Sequence, residues 1–386
     1  MSKRLASILF LFFLAAAAFA QSPQWSPKAA REWYARQPWM VGCNYIPANA
    51  INQLEMWNAD TFDADRINME LGWAQSVGLN TLRVFLHDQL WDQGWSFQRR
   101  MEHFLKLADD HNMRVIFVLF DSCWDPFPED AVKQRAPKPG VHNSGWVQSP
   151  GATALMDPRQ EQHLLDYVQL VVRAFAKDKR VLAWDLWNEP DNLNDGSYGS
   201  EEPKGKVERV LEMLPRVYQY ARAALPTQPL TSGVWKGDWS SADKLSPMER
   251  IQLEQSDVIS FHSYDPPEEF EKRIKWLEAY HRPIFCTEYM ARPRGSTFQA
   301  ILPIAKKYGV AAFNWGLVNG KTQTNLPWDS WQHPYTGDAP VWFHDIFTYE
   351  GQLYQPEEGA FLRQITAPAP KIKAKAKKAK AAAATP

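Results

Sequence analysis

Eight short apolar runs, separated by stretches whose hydrophobic residues recur at helical spacing, set the architecture open to this chain. The runs are 39–45, 81–87, 115–120, 181–189, 230–235, 258–261, 283–288 and 310–315. Ile67, Leu71, Ala74 and Val77 mark a helix between the first two, and Leu164, Val168, Val171 and Phe175 mark one before the fourth. The remaining intervals read alike, for example at Phe270, Ile274 and Leu277 or at Phe298, Ile301 and Ala305. Strands this apolar lack the in-and-out alternation of a half-wet sheet, so they predict a parallel sheet covered on both faces. Eight such units in a row predict a closed α/β barrel, the (β/α)8 or TIM fold, as a single domain over 39–366. No Gly-rich phosphate loop follows the first run, which removes the commonest nucleotide-binding alternative.

The two ends read differently. Residues 1–20 begin with Lys3 and Arg4, continue through the apolar stretch 8–19 and close on Ala18-Phe19-Ala20, the layout of a cleavable signal peptide. A secreted or periplasmic protein is therefore expected. Residues 21–38 are expected to be an N-terminal linker, and 367–386, rich in Lys and Ala, a disordered tail. The formal net charge of −1 hides an asymmetry, because Lys3, Arg4 and the tail lysines sit at the ends and leave an acidic body between them. Weak contact of the tail with an anionic surface is conceivable, whereas nucleic acid is not expected, since the folded part carries no basic face. Three cysteines, Cys43, Cys123 and Cys286, allow at most one internal disulfide and lie near strand ends, where a small buried side chain is their usual role. A monomer is expected.

In a barrel of this kind the chemistry sits on the loops that follow the strands. The strand ends carry Asn44 and Tyr45; Arg83, His87 and Asp88; Asp121 and Trp124; Asn188 and Glu189; Trp235; His262 and Tyr264; Glu288; and Trp315. A single charge at a strand end is often a structural ion pair. The whole set on one rim is harder to bury, because each charge needs a partner. Glu189 and Glu288 are 99 residues apart, about three strand-helix units, so both face the same mouth.

Two carboxylates among aromatic planes are the equipment of glycoside hydrolysis: one donates a proton to the leaving oxygen, and the other meets the oxocarbenium-like centre. Arg83 beside Glu288 would hold that carboxylate charged, while Trp neighbours and a second negative charge would raise the pKa of Glu189. No cofactor is implied. No metal site is expected either, since the acids and His262 lack a ligand spacing such as two histidines one helical turn apart.

At Asn188-Glu189-Pro190, His262-Ser263-Tyr264, Thr287-Glu288, Arg83 and Trp315 the sequence resembles the retaining glycoside hydrolases of the large cellulase-like clan, most closely family 5. The resemblance implies Glu189 as acid/base and Glu288 as nucleophile, with Asn188 on the sugar 2-hydroxyl. It further implies Tyr264 and Arg83 holding Glu288, His262 bordering the acid/base, and Trp315 as the platform under the reacting sugar. Cellulase-like members commonly carry a histidine just after strand 3, where this chain has Asp121-Ser122-Cys123-Trp124; His87 could take over, or Asp121 could grip a different hydroxyl. Residues 42–47, 53–57, 121–124 and 141–146 look like a subgroup often labelled xylanase that includes β-mannosidases. Long loops at 121–157 and 317–343 carry Trp146, Trp328, Trp331 and Trp342, which either stack on sugar or pack the loops.

The expected activity is thus a retaining β-glycosidase on short β-mannosides or β-glucosides, with an oligosaccharide or polysaccharide as the partner. An endo-β-1,4-glycanase is the alternative within the class. A non-catalytic carbohydrate-binding barrel is the alternative outside it, and the presence of both glutamates argues against that one.

Overall fold

The structure, a computed structural model, describes residues 22–129 and 133–368. Its eight strands are β1 (Val41–Asn44), β2 (Thr81–Phe85), β3 (Arg114–Asp121), β4 (Val181–Asn188), β5 (Leu230–Thr231), β6 (Ile259–His262), β7 (Ile284–Tyr289) and β8 (Ala311–Trp315). All pairings are parallel, in the order β5-β4-β3-β2-β1-β8-β7-β6. The two free edges meet at one parallel bridge, Val234 to Phe261, which closes the sheet into the expected (β/α)8 barrel.

Helices alternate with the strands because each interval has one apolar stripe to bury. Leu164, Leu165, Val168, Val171 and Val172 face the core from Glu161–Ala174, and Val210, Met213, Leu214, Val217 and Tyr218 do so from Lys206–Ala223. Strand register is tight where backbones approach. At Gly42, opposite Thr81, an added Cβ would lie 1.7 Å from the Thr81 carbonyl oxygen, so only glycine fits.

Two expectations need correction. The fifth run, expected over 230–235, pairs regularly only at Leu230 and Thr231, because side chains intercept the next backbone groups: Ser256 Oγ accepts from Ser232 N, and Gln252 Nε2 donates to the Gly233 carbonyl. The stretch 21–38, expected as a linker, contains the helix Pro27–Tyr34, capped by Ser26 and started by a proline at its first position. Its Trp33 and Tyr34 pack on Phe285 and seal the bottom of the barrel, over Met40, Ile116, Leu182, Val258 and Phe313. The expected signal segment and nearly all of the expected tail lie outside the described residues.

At the opposite end the loops after β3 and β8 interlock. Asn143 N donates to Thr322 O (2.7 Å), Tyr335 N to Gly140 O (2.9 Å) and His142 N to Ser330 Oγ (2.9 Å). This clasp forms one wall of the barrel mouth.

Candidate active site

Arg83 projects from β2 into the barrel axis, where none of it is exposed. Its Nε and Nη2 both donate to Asp185 Oδ2 (3.0 and 2.8 Å), Nη2 also to Asn188 Oδ1 (2.6 Å), and Nη1 to Asn44 Oδ1 (2.7 Å) and Glu288 Oε1 (3.0 Å). One guanidinium thus fixes residues from β1, β4 and β7. A buried cation with two carboxylates and two amide oxygens around it keeps its charge: burial works against it, but Asp185 and Glu288 outweigh that and raise its pKa.

Glu288 reaches the mouth because β7 is irregular there. Phe261 pairs with Cys286 and His262 with Glu288, so Thr287 is an extra residue that re-aims the strand end. Its Oε2 accepts from Tyr264 Oη (2.8 Å). Glu189, the residue after β4, stands at a φ of 42° directly before Pro190, a position where the left-handed region is disfavoured. Such strain costs on the order of 1–3 kcal/mol and is held here by side-chain contacts. His262 Nδ1 meets Glu189 Oε1 at 2.9 Å, while Asn192 Nδ2 (2.6 Å) and Cys123 Sγ (3.2 Å) donate to Oε2.

Burial pushes both glutamates above the usual carboxylate range; the charge of Asp191 adds to this at Glu189, and that of Glu189 adds to it at Glu288. Their partners separate them. Glu288 has a full positive charge at 3.0 Å and a phenol donor, whereas Glu189 has only neutral donors in contact. Glu288 is therefore the member that ionises first. His262 is held neutral, because burial lowers its pKa to about 4.

Oxygens of Glu189 and Glu288 and the ring nitrogen of His262 lie within 4.8 Å of one another. Such a trio could in principle hold a cation, but Asn192, Cys123 and Tyr264 already donate to oxygens of the two carboxylates, which suits a pair of proton-handling groups better than a set of ligands.

The mouth opens into a cavity of about 890 Å³ whose walls include Asn188, Glu189, His262, Tyr264, Glu288 and Trp315, together with Trp124, Trp235, Trp328 and Trp331. Arg83 stands beneath these residues. Trp124 stacks on Trp331 (5.5 Å, 11° between planes), and Trp328 meets the Tyr264 ring edge-on at 5.1 Å.

Two expected positions, His87 and Asp121, turn out differently, and two loop tryptophans, Trp146 and Trp342, take the packing alternative. His87 does not line the cavity: it is fully buried, with Nε2 on Gln148 O (2.9 Å), and it caps the turn that follows β2. Asp121 touches no open space, since its Oδ1 accepts from Asn188 Nδ2 and Cys123 N and its Oδ2 from Trp146 Nε1 (2.7 Å). It orients Asn188 rather than gripping a hydroxyl, and burial raises its pKa to about 6. Trp146 lies behind Trp315, edge-on at 5.6 Å, and is a support rather than a wall. Trp342 stacks on Tyr354 away from the mouth.

Sequence reasoning missed Asp185, Cys123 and Asn192. Asp185 had a visible signal, an acid inside a run otherwise fit only for burial, which demands a cation nearby. Cys123 was read as inert packing, yet its thiol touches a candidate catalytic carboxylate. All three cysteines are free and buried.

Comparisons with known proteins agree with this geometry. The profile described as Cellulase (glycosyl hydrolase family 5) matches residues 52–321. No curated protein sequence matches the chain significantly. Among solved structures, a GH5_18 enzyme of Streptomyces cattleya in complex with Manb1-4GlcNAc is similar at a TM-score of 0.58 and 15% identity, over 87% of this chain and 83% of that one. An exo-beta-1,4-mannosidase of Opitutaceae bacterium strain TAV5 is similar at 0.56 and 18%, over 85% of this chain and 59% of that one. A beta-1,4-mannanase from the sea hare Aplysia kurodai follows at 0.53 and 17%, over 72% and 88%. At these identities the structural likeness speaks for the fold alone, but the profile covers most of the chain, and with the barrel and its facing glutamates it decides the matter: the chain belongs to glycoside hydrolase family 5.

Proposed function

We propose that this protein is a retaining β-glycosidase that removes single β-mannosyl residues from the ends of short chains. Retention rests on the carboxyl spacing. An oxygen of Glu189 and one of Glu288 lie within 4.8 Å of each other, near the ~5 to 5.5 Å of double-displacement enzymes and well short of the ~6.5 Å needed to seat a water between them. Glu288, the more readily ionised, attacks the anomeric carbon, while protonated Glu189 gives its proton to the leaving oxygen. Glu189 then takes a proton from the water that releases the sugar. Asn188, locked between Arg83 and Asp121, presents its amide to the sugar's 2-hydroxyl.

The observation that favours action at a chain end is the plug behind Trp315. Phe85, Trp146 and Trp315 pack edge-to-face within 5.6 Å of one another, and the void left there is about 10 Å³, too small for a second sugar. The cavity's lining also takes in Trp235, Lys236, Arg273 and Arg294, all exposed or half-buried, which gives the leaving portion room. Mannose is favoured because mannosidases and mannanases recur among the similar structures. The layout of residues 1–20 supports export, with cleavage after Ala20.

A proton-NMR time course on aryl β-mannoside and aryl β-glucoside tests the reading, with Glu288→Gln as control. Cleavage of the mannoside with the β-anomer released first, and a dead variant, is the expected result. Release of the α-anomer first would refute retention, and turnover of internal mannan bonds with no release of monosaccharide would refute action at a chain end.

A further inference from the structure

Two histidines of the clasped loops have no part in the proposed chemistry, yet both face the cavity. His142 comes from the loop after β3 and His344 from the loop after β8, with ring centres 5.4 Å apart. They stand between the aromatic wall and the nucleophile's partner: His142 is 5.5 Å from the Trp124 ring, and His344 is 5.5 Å from the Tyr264 ring.

Their protonation is fixed by what they touch. His142 Nδ1 lies 2.7 Å from the Leu326 carbonyl, and His344 Nδ1 bonds the Met290 carbonyl. A carbonyl can only accept, so each Nδ1 carries the hydrogen and each Nε2 presents a lone pair. Burial keeps both rings neutral, lowering His142 to about 4 and His344 further. Neither Nε2 has a partner among the described residues: His344 Nε2 is a buried orphan, and the bond of His142 is made through Nδ1. His142 is 2% exposed and His344 not at all. A buried acceptor left unmet is costly, and His344 Nε2, on a residue that lines the cavity beside His142, calls for a donor from outside the chain.

We propose that His142 and His344 form a paired acceptor site that receives a hydroxyl of the bound sugar and so selects for a sugar that carries a hydroxyl at that position. The inference rests on the glycosidase reading and adds a specificity device to it. A sugar hydroxyl can donate to one ring while accepting from elsewhere. An analogue lacking that hydroxyl would leave the accepting nitrogen orphaned, the arrangement that discriminates most strongly between ligands.

The test uses the full chain carrying Glu288→Gln, so that ligands bind without being consumed, with β-1,4-mannobiose, its monodeoxy derivatives and cellobiose as probes. Calorimetry should show mannobiose binding about ten-fold more weakly when His142→Phe is added, the size of one neutral hydrogen bond, with partial recovery in His142→Gln, which keeps an acceptor. One monodeoxy derivative should lose the same factor in the parent and nothing further in the Phe variant. In the unaltered loop, the histidine Nε2 nitrogen resonances should move on saturation with mannobiose, a readout that does not depend on any histidine variant folding. Equal binding by the Phe variant, equal losses for every deoxy position, resonances that stay in place at saturation, or no binding of any probe would each overturn the proposal. Binding with the resonance shift, in a protein that hydrolyses neither aryl β-mannoside nor mannobiose, would overturn the mannosidase reading and leave the acceptor pair standing.

Discussion

Replacing Arg83 with methionine separates what the central cation does for the fold from what it does for the reaction. The guanidinium neutralises two buried carboxylates, Asp185 at 2.8 Å and Glu288 at 3.0 Å, and fills the oxygens of Asn44 and Asn188. Arg83→Met keeps the bulk but leaves those charges uncompensated, and breaking a buried pair of this kind costs about 3–5 kcal/mol. With about 2.1 cal/mol/K of unfolding entropy per residue over roughly 340 ordered residues, that is a fall in Tm of about 4–7 °C. The reaction responds separately. Loss of the positive neighbour raises the pKa of Glu288, which must be ionised to attack, so the acidic limb of kcat/KM moves to higher pH. Calorimetry and a pH–rate profile measure the two effects. The double variant Arg83→Met/Asp185→Leu should recover part of the lost stability, since one orphaned charge is gone, but should leave the acidic limb displaced. A Tm within about 1 °C of the parent, or an acidic limb that does not move, would refute the reasoning.

Asn192→Ala removes a 2.6 Å donor whose hydrogen bond lowers the pKa of Glu189, so that pKa rises and the alkaline limb of kcat moves to higher pH, read from the same profiles. Asp345 tests linkage away from the glutamates. Burial raises its pKa to about 7 from 3.8, with Thr324 as its hydroxyl partner, so the folded state holds the proton more tightly. Its contribution is therefore complete below about 3.8 and is lost as pH rises toward 7. Asp345→Asn should flatten the decline of stability across that window by up to about 1.4 kcal/mol per pH unit, the value for one proton, as measured by denaturant titration at pH 5, 6 and 7. An unchanged slope would mean that the carboxyl titrates normally.

The barrel was legible because its signal is repeated eight times: each strand is buried on both faces, so continuous apolar runs survive in the sequence. Its weakest strand was misjudged for a local reason. Residues 230–235 look as apolar as the others, but Gln252 and Ser256, which take up its backbone groups, sit on the following helix or at its end and cannot be foreseen from the run itself. The helix Pro27–Tyr34 escaped notice because it buries few residues against the barrel floor. At the site, Glu189 and Glu288 were readable as acids placed at strand ends. His87 was misplaced, and Trp146 was left open between stacking on sugar and packing, because sequence position says which end of the barrel a residue occupies, but not whether it points into the cleft or behind it. Asp121 is the instructive case. It stands where a sugar-gripping group was expected, yet three neighbouring donors satisfy it, and those donors come together only in the closed fold.

The clasp between the loops after β3 and β8 has a temporal meaning as well as a spatial one. Its halves are joined by bonds such as Asn143 to Thr322, which span much of the chain. On the ribosome, β3 and its loop emerge long before the segment that must meet them, so the wall that would face the sugar cannot exist until synthesis has passed His344. A nascent chain cannot hold sugar in a half-built cleft, because the last strand to be made also delivers the partner for the loop made early.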